Sequence, residues 1–331
     1  MTLGFFSAFL PELSLHEVLQ LAAAYQFDGV ELACWPLGKA ERKFAGVTHI
    51  DVAGFTQTGA DEVNALCAKH RVSLTALSYY PNPLDPDPAV SKKAVAHLKK
   101  VFQAAHKLGL SNTNTFVGRD WTKTVDENWP RFLTIWKPLI AFAEDLGIKV
   151  GIENCPMLFS RDEWPGGKNL ATTPAIWRRM FNDIPSTHFG LNYDPSHFLL
   201  QQIDPLHALR EFKDKLFHLH AKDATIQTDR LNEVGRFSFP KEWHNPRIPG
   251  FGDIDWPRFM AALWEIGYDG PVCIEIEDAS FGKTLEGRKR ALGLARNALT
   301  PFFAAMRTSS GTKGSLTTAS QRPKLAPLNT L

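Results

Sequence analysis

Four short segments of this chain place ionisable side chains at the ends of apolar runs: GIENCP (151–156), LNYDPSH (191–197), HLHAKD (218–223) and VCIEIED (272–278). Each run has the length and composition of a buried strand. A carboxylate at the end of such a strand is costly unless it is paired or bound to a cation. One acid alone would mean little, because a structural ion pair would account for it. Three acids and a histidine converging from four strands carry a summed charge of about −3, for which a divalent cation is the simplest partner. The mixture of carboxylate oxygens and imidazole nitrogen suits Mn²⁺, Mg²⁺, Co²⁺ or Zn²⁺ and argues against a structural thiolate zinc site.

Strand alternation narrows the choice within two segments. His218, His220 and Lys222 share one face of their strand. His220 lies nearer the C-terminal mouth and is the expected ligand, with His218 a deeper layer residue or a donor behind it. Glu275 and Glu277 also share a face; Glu275 still lies within the apolar run, whereas Glu277 begins the loop and is expected to be solvated. His197, on the turn after Asp194, could reach a bound substrate or hydrogen-bond the loop, and the residues alone leave both readings open.

The elements that must position these groups are strands and helices in alternation. Strands are expected at 3–9, 29–33, 73–78, 112–117, 149–153, 188–194, 216–222 and 272–276. Between them lie helical patterns such as LHEVLQLAAAYQF, PAVSKKAVAHLKKVFQAAHKLG and NWPRFLTIWKPLIAFAEDLG, and a shorter one, LHALREF. Gly109, Gly147 and Gly267 stand where left-handed C-caps would turn helices back toward the sheet. Eight strand–helix units predict an α/β fold, a closed (β/α)8 TIM barrel in a single domain over 1–307. An open doubly wound sheet is the rival, but the chain lacks the GxGxxG turn of its nucleotide-binding members. Three long connections, 34–58, 154–173 and 223–254, all follow strands and so belong at the face where barrels build their sites. Residues 308–331 lose periodicity and are expected to form a flexible tail, a docking segment for another chain such as a small accessory subunit.

Composition removes several function classes. The 331 residues carry 37 basic and 35 acidic side chains, a net charge of +2, which leaves no electrostatic footprint for nucleic acid or a membrane surface. No apolar run approaches bilayer length, and the apolar start MTLGFFSAFLPELSL has no basic flank or cleavage site, so it reads as a first strand. Cys34, Cys67, Cys155 and Cys273 form no CxxC and read as reduced thiols of a cytoplasmic protein. The chain is rich in tryptophan and phenylalanine; some of these are expected to serve subunit contacts in a homo-oligomer.

The segments, taken in order, resemble the xylose isomerase-like TIM-barrel superfamily of sugar isomerases and epimerases. The likeness rests on IEN at strand five, DPSH at strand six, HAKD (220–223) at strand seven and GYDGPVCIE (267–275) at strand eight, with RIPGFGDIDW (247–256) before the last helix. Relatives include ketohexose 3-epimerases, hydroxypyruvate isomerase, inosose dehydratase and isomerase, and catalytic subunits of C-glycoside deglycosidases. The resemblance implies that Glu153, Asp194, His220 and Glu275 bind one metal ion, Mn²⁺ by preference. It implies that Glu153 and Glu275 double as the acid–base pair and that His197 and Arg247 contact substrate oxygens. Asn154 and Cys155 would line the pocket at most, and Lys222 and Asp223 would form a local ion pair. Tyr79, Tyr80 and Asn82, in the loop SYYPNPLDPDP (78–88), are further candidates for sugar contact. At Phe159 the chain departs from the ketohexose 3-epimerases, which carry a further Glu there.

The chemistry expected of such a site begins with abstraction of a proton beside a metal-bound carbonyl, giving a metal-stabilised enediolate. Reprotonation makes an isomerase or epimerase of a sugar. Expulsion of a neighbouring leaving group makes a lyase of a keto-sugar, by keto-inositol dehydration or keto-glycoside cleavage. Phosphodiester hydrolysis at a three-zinc site is disfavoured, because the first four strands end in FSAF, ELAC, LSYY and TFVG, with Glu31 the lone acid. A barrel whose acids merely form ion pairs is the non-enzymatic alternative.

Overall fold

The computed structural model describes residues 1–38, 45–158 and 167–309, with side chains to residue 303. In chain order the strands are β1 Thr2–Phe6, β2 Gly29–Ala33, β3 Ser73–Ser78, β4 Asn112–Thr115, β5 Lys149–Glu153, β6 Phe189–Tyr193, β7 Leu216–Ala221, β8 Asp223–Ile226, β9 His244–Arg247 and β10 Pro271–Ile274. Eight of them close a barrel in the order β1-β10-β7-β6-β5-β4-β3-β2. Every barrel pairing is parallel, with β1 bonded to both β2 and β10. This is the expected TIM barrel.

The helices are α1 Leu15–Ala24, α2 Gln57–His70, α3 Pro88–Lys107, α4 Val125–Asp145, α5 Pro174–Asp183, α6 Ser196–Gln201, α7 Thr228–Val234, α8 Trp256–Glu265 and α9 Leu285–Ser309. Local sequence explains their starts. Ser14 with Glu17 and Thr124 with Glu127 form reciprocal capping boxes that satisfy otherwise orphaned amides of α1 and α4. Their stops follow the glycine pattern: Gly109, Gly147 and Gly267 take positive φ of 72°, 68° and 74°. The layer between helices and sheet is aromatic, including Phe102, Phe132, Trp136, Trp177 and Phe259, all essentially inaccessible. Trp136 and Trp177 spend their indole N–H groups on the carbonyls of Val117 and Ala171 at 3.0 and 2.8 Å, so their burial leaves no donor unpaired.

Three expectations need correction. The LHALREF stretch is a series of turns rather than a helix, bonded as His207 N to Asp204 O and Leu209 N to Leu206 O. Its apolar spacing is met by Ala208, Leu209 and Phe212, which bury without a continuous helix. The strand expected over 3–9 ends at Phe6 and passes into a 3₁₀ turn, Ser7–Phe9. The long connection after β7 contains structure of its own, the antiparallel pair β8–β9, with Asp223 opposite Arg247 and Ile226 opposite His244. Helix α9 runs on to Ser309, and the tail beyond it lies outside the described residues. Among the described residues no helix is long and apolar enough to cross a membrane.

Candidate metal centre

The barrel brings Glu153, Asp194, His220 and Glu275 together, each offering a ligand atom within 4.8 Å of the others. Glu153 is the last residue of β5, Asp194 and Glu275 directly follow β6 and β10, and His220 lies in β7. Glu153, Asp194 and His220 are at most 3% exposed. Asp194 is clamped by its neighbour: Asn154 Oδ1 accepts from Asp194 N at 2.8 Å, and Asn154 Nδ2 donates to Asp194 O at 2.9 Å. Asp194 Oδ1 in turn accepts from the backbone N and hydroxyl of Ser196 at 2.8 and 2.7 Å, which fixes the carboxylate plane.

Two atoms of this group are among the buried side-chain atoms of the described residues that make no hydrogen bond, with Asn112 Oδ1, Thr113 Oγ1 and Asp278 Oδ2 among the others. Asp194 Oδ2 makes no well-directed hydrogen bond but lies 3.1 Å from the Lys222 ammonium and 3.2 Å from His197 Nε2, whereas His220 Nδ1 has no hydrogen-bond partner. His220 Nδ1 faces Glu153 Oε1 at 3.5 Å and Glu275 Oε2 at 3.6 Å. Buried polar atoms are rarely left this way, and an ion is among the accepted reasons. The donor set, three carboxylates and one imidazole, fits a divalent cation.

The groups around the cluster are basic. His197, in α6, sets Nε2 3.3 Å from Glu153 and 3.2 Å from Asp194. Lys222 sets its ammonium 2.6 Å from Glu275, 3.1 Å from Asp194 and 3.2 Å from Glu277. Burial opposes ionisation of Glu153, but His220, His197 and Lys222 outweigh it and hold that carboxyl well below the usual range. Burial lifts Glu275 to about 7 against the pull of Lys222, with Glu277 and Glu153 adding to the rise. Two carboxyls in one site thus sit in opposed electrostatic environments.

The pairing expected between Lys222 and Asp223 does not form. Lys222 turns into the barrel, and Asp223 turns out to hold the RIPGFGDIDW stretch. Its carboxylate accepts from Ala224 N, Gly250 N, Ile254 N and Trp256 Nε1 at 2.8 to 3.1 Å. At Gly252 even a methyl group would meet Asp223 Oδ1 at 2.3 Å, so the loop and the carboxylate demand each other. Glu277, expected in solvent, pairs with Lys222 instead.

Three further residues lie away from the cluster. Tyr79 and Asn82 line a neighbouring cavity of about 510 Å³ together with Trp35, Tyr80 and Met157. Asn82 staples its loop, accepting from Arg119 N and donating to Arg119 O, both at 2.8 Å. Arg247, on β9, lies at the rim, with a guanidinium nitrogen 3.5 Å from Asp278 and 3.2 Å from Ser280 Oγ. Phe159 lies outside the described residues.

A family model described as the xylose isomerase-like TIM barrel matches residues 19–298. The chain belongs to this family. Among its relatives is an inosose dehydratase from Lacticaseibacillus casei, 25% identical over 248 residues, covering 72% of this chain and 73% of the relative. Among solved structures, D-psicose 3-epimerase with D-tagatose from Clostridium cellulolyticum H10 aligns at a TM-score of 0.64 and 19% identity, over 90% of this chain and 97% of that one. The IOLI protein with a bound zinc atom aligns at 0.67 and 19%, over 92% and 99%. The family therefore supplies sugar-modifying relatives of two kinds, epimerases and dehydratases.

Within this family barrel, the reading from sequence passed over Asn154 as a clamp on Asp194 and Lys222 as part of the cluster. It also passed over Glu31, noted only as a lone acid. Glu31 is fully buried and faces His220 from across the barrel. The signal for Lys222 was available in its sharing a strand face with His220; no local signal marks Glu31.

Proposed function

We propose that the chain is a divalent-metal-dependent sugar isomerase or epimerase, with Glu153, Asp194, His220 and Glu275 holding the cation. One observation carries this reading: four residues converge with a ligand atom each within 4.8 Å, and the buried His220 Nδ1 among them lacks any hydrogen bond. When bound, the cation supplies Lewis-acid polarisation of adjacent carbonyl and hydroxyl oxygens. The side chains perform the proton transfers. One carboxylate of the Glu153–Glu275 pair takes the proton from the hydroxyl-bearing carbon. The other returns a proton to the neighbouring carbon in isomerisation, or to the opposite face in epimerisation. His197 is assigned to substrate oxygens beside Glu153 and Asp194, and Tyr79, Asn82 and Arg247 to the outer part of the sugar. Mn²⁺ is our preferred ion because carboxylates dominate the set, and the zinc of the IOLI protein supports a divalent ion in this barrel.

A dehydratase acting on a keto-sugar is the second reading, and two observations favour it. The Lacticaseibacillus casei relative is an inosose dehydratase. Lys222 also sets an ammonium 2.6 Å from Glu275, where a departing hydroxyl could take a hydrogen bond. Both reactions share the first proton abstraction. The test is incubation of the Mn²⁺-loaded protein in D₂O with a panel of ketoses, keto-inositols and keto-glycosides. Deuterium beside the carbonyl of a ketose, with a new sugar isomer, is expected. Cleavage or dehydration of a keto substrate with no exchange into any ketose would replace the isomerase reading by the lyase.

A further inference from the structure

His220 is the one ligand of the cluster that also touches the layer beneath it. Its Nδ1 faces Glu153 and Glu275, while its Nε2 lies 2.7 Å from Glu31 Oε2. Glu31 sits in the middle of β2, across the barrel from β7, and is completely buried. Its other oxygen, Oε1, is held by three donors: the Ser78 hydroxyl at 2.5 Å, the Tyr80 hydroxyl at 2.7 Å and Asn114 Nδ2 at 3.1 Å. Those donors come from β3, the loop after it and β4. Phe6 lies against the imidazole face, centroids 5.6 Å apart and planes 21° from parallel, so the ring has little room to tilt.

The protonation of His220 follows from this geometry. Glu31 Oε1 accepts from three donors at once, which is the bonding pattern of a carboxylate rather than of a carboxylic acid. An ionised carboxylate only accepts hydrogen bonds. The 2.7 Å contact therefore places a proton on His220 Nε2. The Asn192 amide, 3.1 Å from the same nitrogen, is left to donate to the Tyr80 hydroxyl at 3.0 Å. In the neutral ring that a metal ligand requires, Nε2 then keeps the proton and Nδ1 carries the lone pair, and Nδ1 is the atom aimed at the acids.

We infer that Glu31 is the positioning residue of the metal centre: through Nε2 it fixes the tautomer and ring orientation that present His220 Nδ1 to the cation. This rests on the metal-dependent reading above and extends it from the four ligands to a fifth residue on the far side of the barrel. Carboxylates behind metal-bound imidazoles raise ligand basicity, and their loss weakens metal affinity by about 10–100-fold. Here Ser78, Tyr80 and Asn114 serve that role at one remove, by orienting Glu31.

The test is Zn²⁺ affinity by calorimetry on the full chain prepared without metal, for the wild type, Glu31→Gln and Ser78→Ala. His218→Gln serves as a control that disturbs the same buried layer without touching Nε2. The glutamine amide meets three donors on the side where Glu31 accepts, so it rotates and offers N–H to His220, favouring the wrong tautomer. A Zn²⁺ Kd weakened by about 10–100-fold in Glu31→Gln, a smaller loss in Ser78→Ala and a Kd within about threefold of wild type in His218→Gln are expected. In Zn²⁺-loaded protein with ¹⁵N-labelled histidine, His220 should show a protonated Nε2 in the wild type and lose that pattern in Glu31→Gln. If Glu31→Gln fails to fold, Ser78→Ala carries the same comparison. Wild-type binding with an unchanged Kd in the variants overturns this inference alone. A wild-type chain that takes up neither Zn²⁺, Mn²⁺ nor Co²⁺ overturns both it and the functional reading.

Discussion

Two clusters of metal-ligand residue types are stacked inside the barrel. One is Glu153, Asp194, His220 and Glu275; the other, one side-chain layer deeper, is Glu31, His218 and Cys273. In both, the ligand atoms lie within 4.8 Å of one another. Satisfaction, not proximity, separates them. In the deeper group His218 bonds Asn192 Oδ1 at 3.0 Å and Thr75 Oγ1 at 3.3 Å, Cys273 Sγ lies 3.4 Å from Thr75 Oγ1, and Glu31 has partners on both oxygens. Burial, with Glu31 nearby, pushes the Cys273 thiol well above its usual range, away from the thiolate a metal would need. In the outer group His220 Nδ1 keeps no hydrogen bond, and Asp194 Oδ2 meets only the basic groups of Lys222 and His197. The comparison teaches that a closed hydrogen-bond network reads as polar core, whereas a convergent set with unfilled valences reads as a binding site.

The sharpest way to break the comparison is at the outer acids. Glu153→Gln or Glu275→Gln should lower the rate of substrate deuterium exchange by about 10²–10⁴-fold, the scale of a lost general acid or base. Exchange at wild-type rate in both variants would remove the acid–base pair. Next in size is the ion itself. Metal at ~100-fold above its Kd should stabilise the fold by about 2.7 kcal/mol, read as a melting shift reversed by chelator. Elemental analysis should then find one ion per chain; two would mean that the deeper cluster also binds. Smaller again is His218→Leu, which strands Asn192 Oδ1 and should cost about 1–3 kcal/mol of metal-free stability. That variant should still bind one ion, and a loss of binding would erase the distinction between the layers.

How far the sequence carries this contrast depends on where the determining contacts lie. Eight strand–helix units and three glycine caps are local patterns, so the barrel could be read from them. Each outer ligand ends an apolar run, which is also local. Lys222 was legible in principle, because alternation that puts His218 and His220 inside puts Lys222 inside and turns Asp223 out. Adjacency in sequence suggested the pair that strand geometry forbids. Glu31 was not legible: its partners Ser78, Tyr80, Asn114 and His220 come from β3, its following loop, β4 and β7, and only the barrel register assembles them. The hairpin β8–β9 was hidden for a related reason, since its strands pair only with each other across a long connection that includes α7.

The smallest effect comes from a histidine outside both clusters, and it sets the baseline for their acid sensitivity. His97, in α3, bonds Cys34 O through Nε2 at 2.8 Å and meets the Tyr79 ring edge-on at 4.7 Å. Burial lowers its pKa from the ordinary value of ~6.5, against the opposing pull of its bond to Cys34 O. Between the lowered and ordinary values the unfolded chain binds a proton that the folded chain resists. Its contribution is therefore intact above ~6.5 and is lost as pH falls from there toward the folded value. Glutamine at this position can still donate to Cys34 O but cannot titrate. The melting temperature of metal-free His97→Gln should accordingly fall less steeply on acidification below ~6.5 than that of the wild type. Equal slopes would place the whole of the acid sensitivity in other titrating groups, with the two stacked clusters the first to examine.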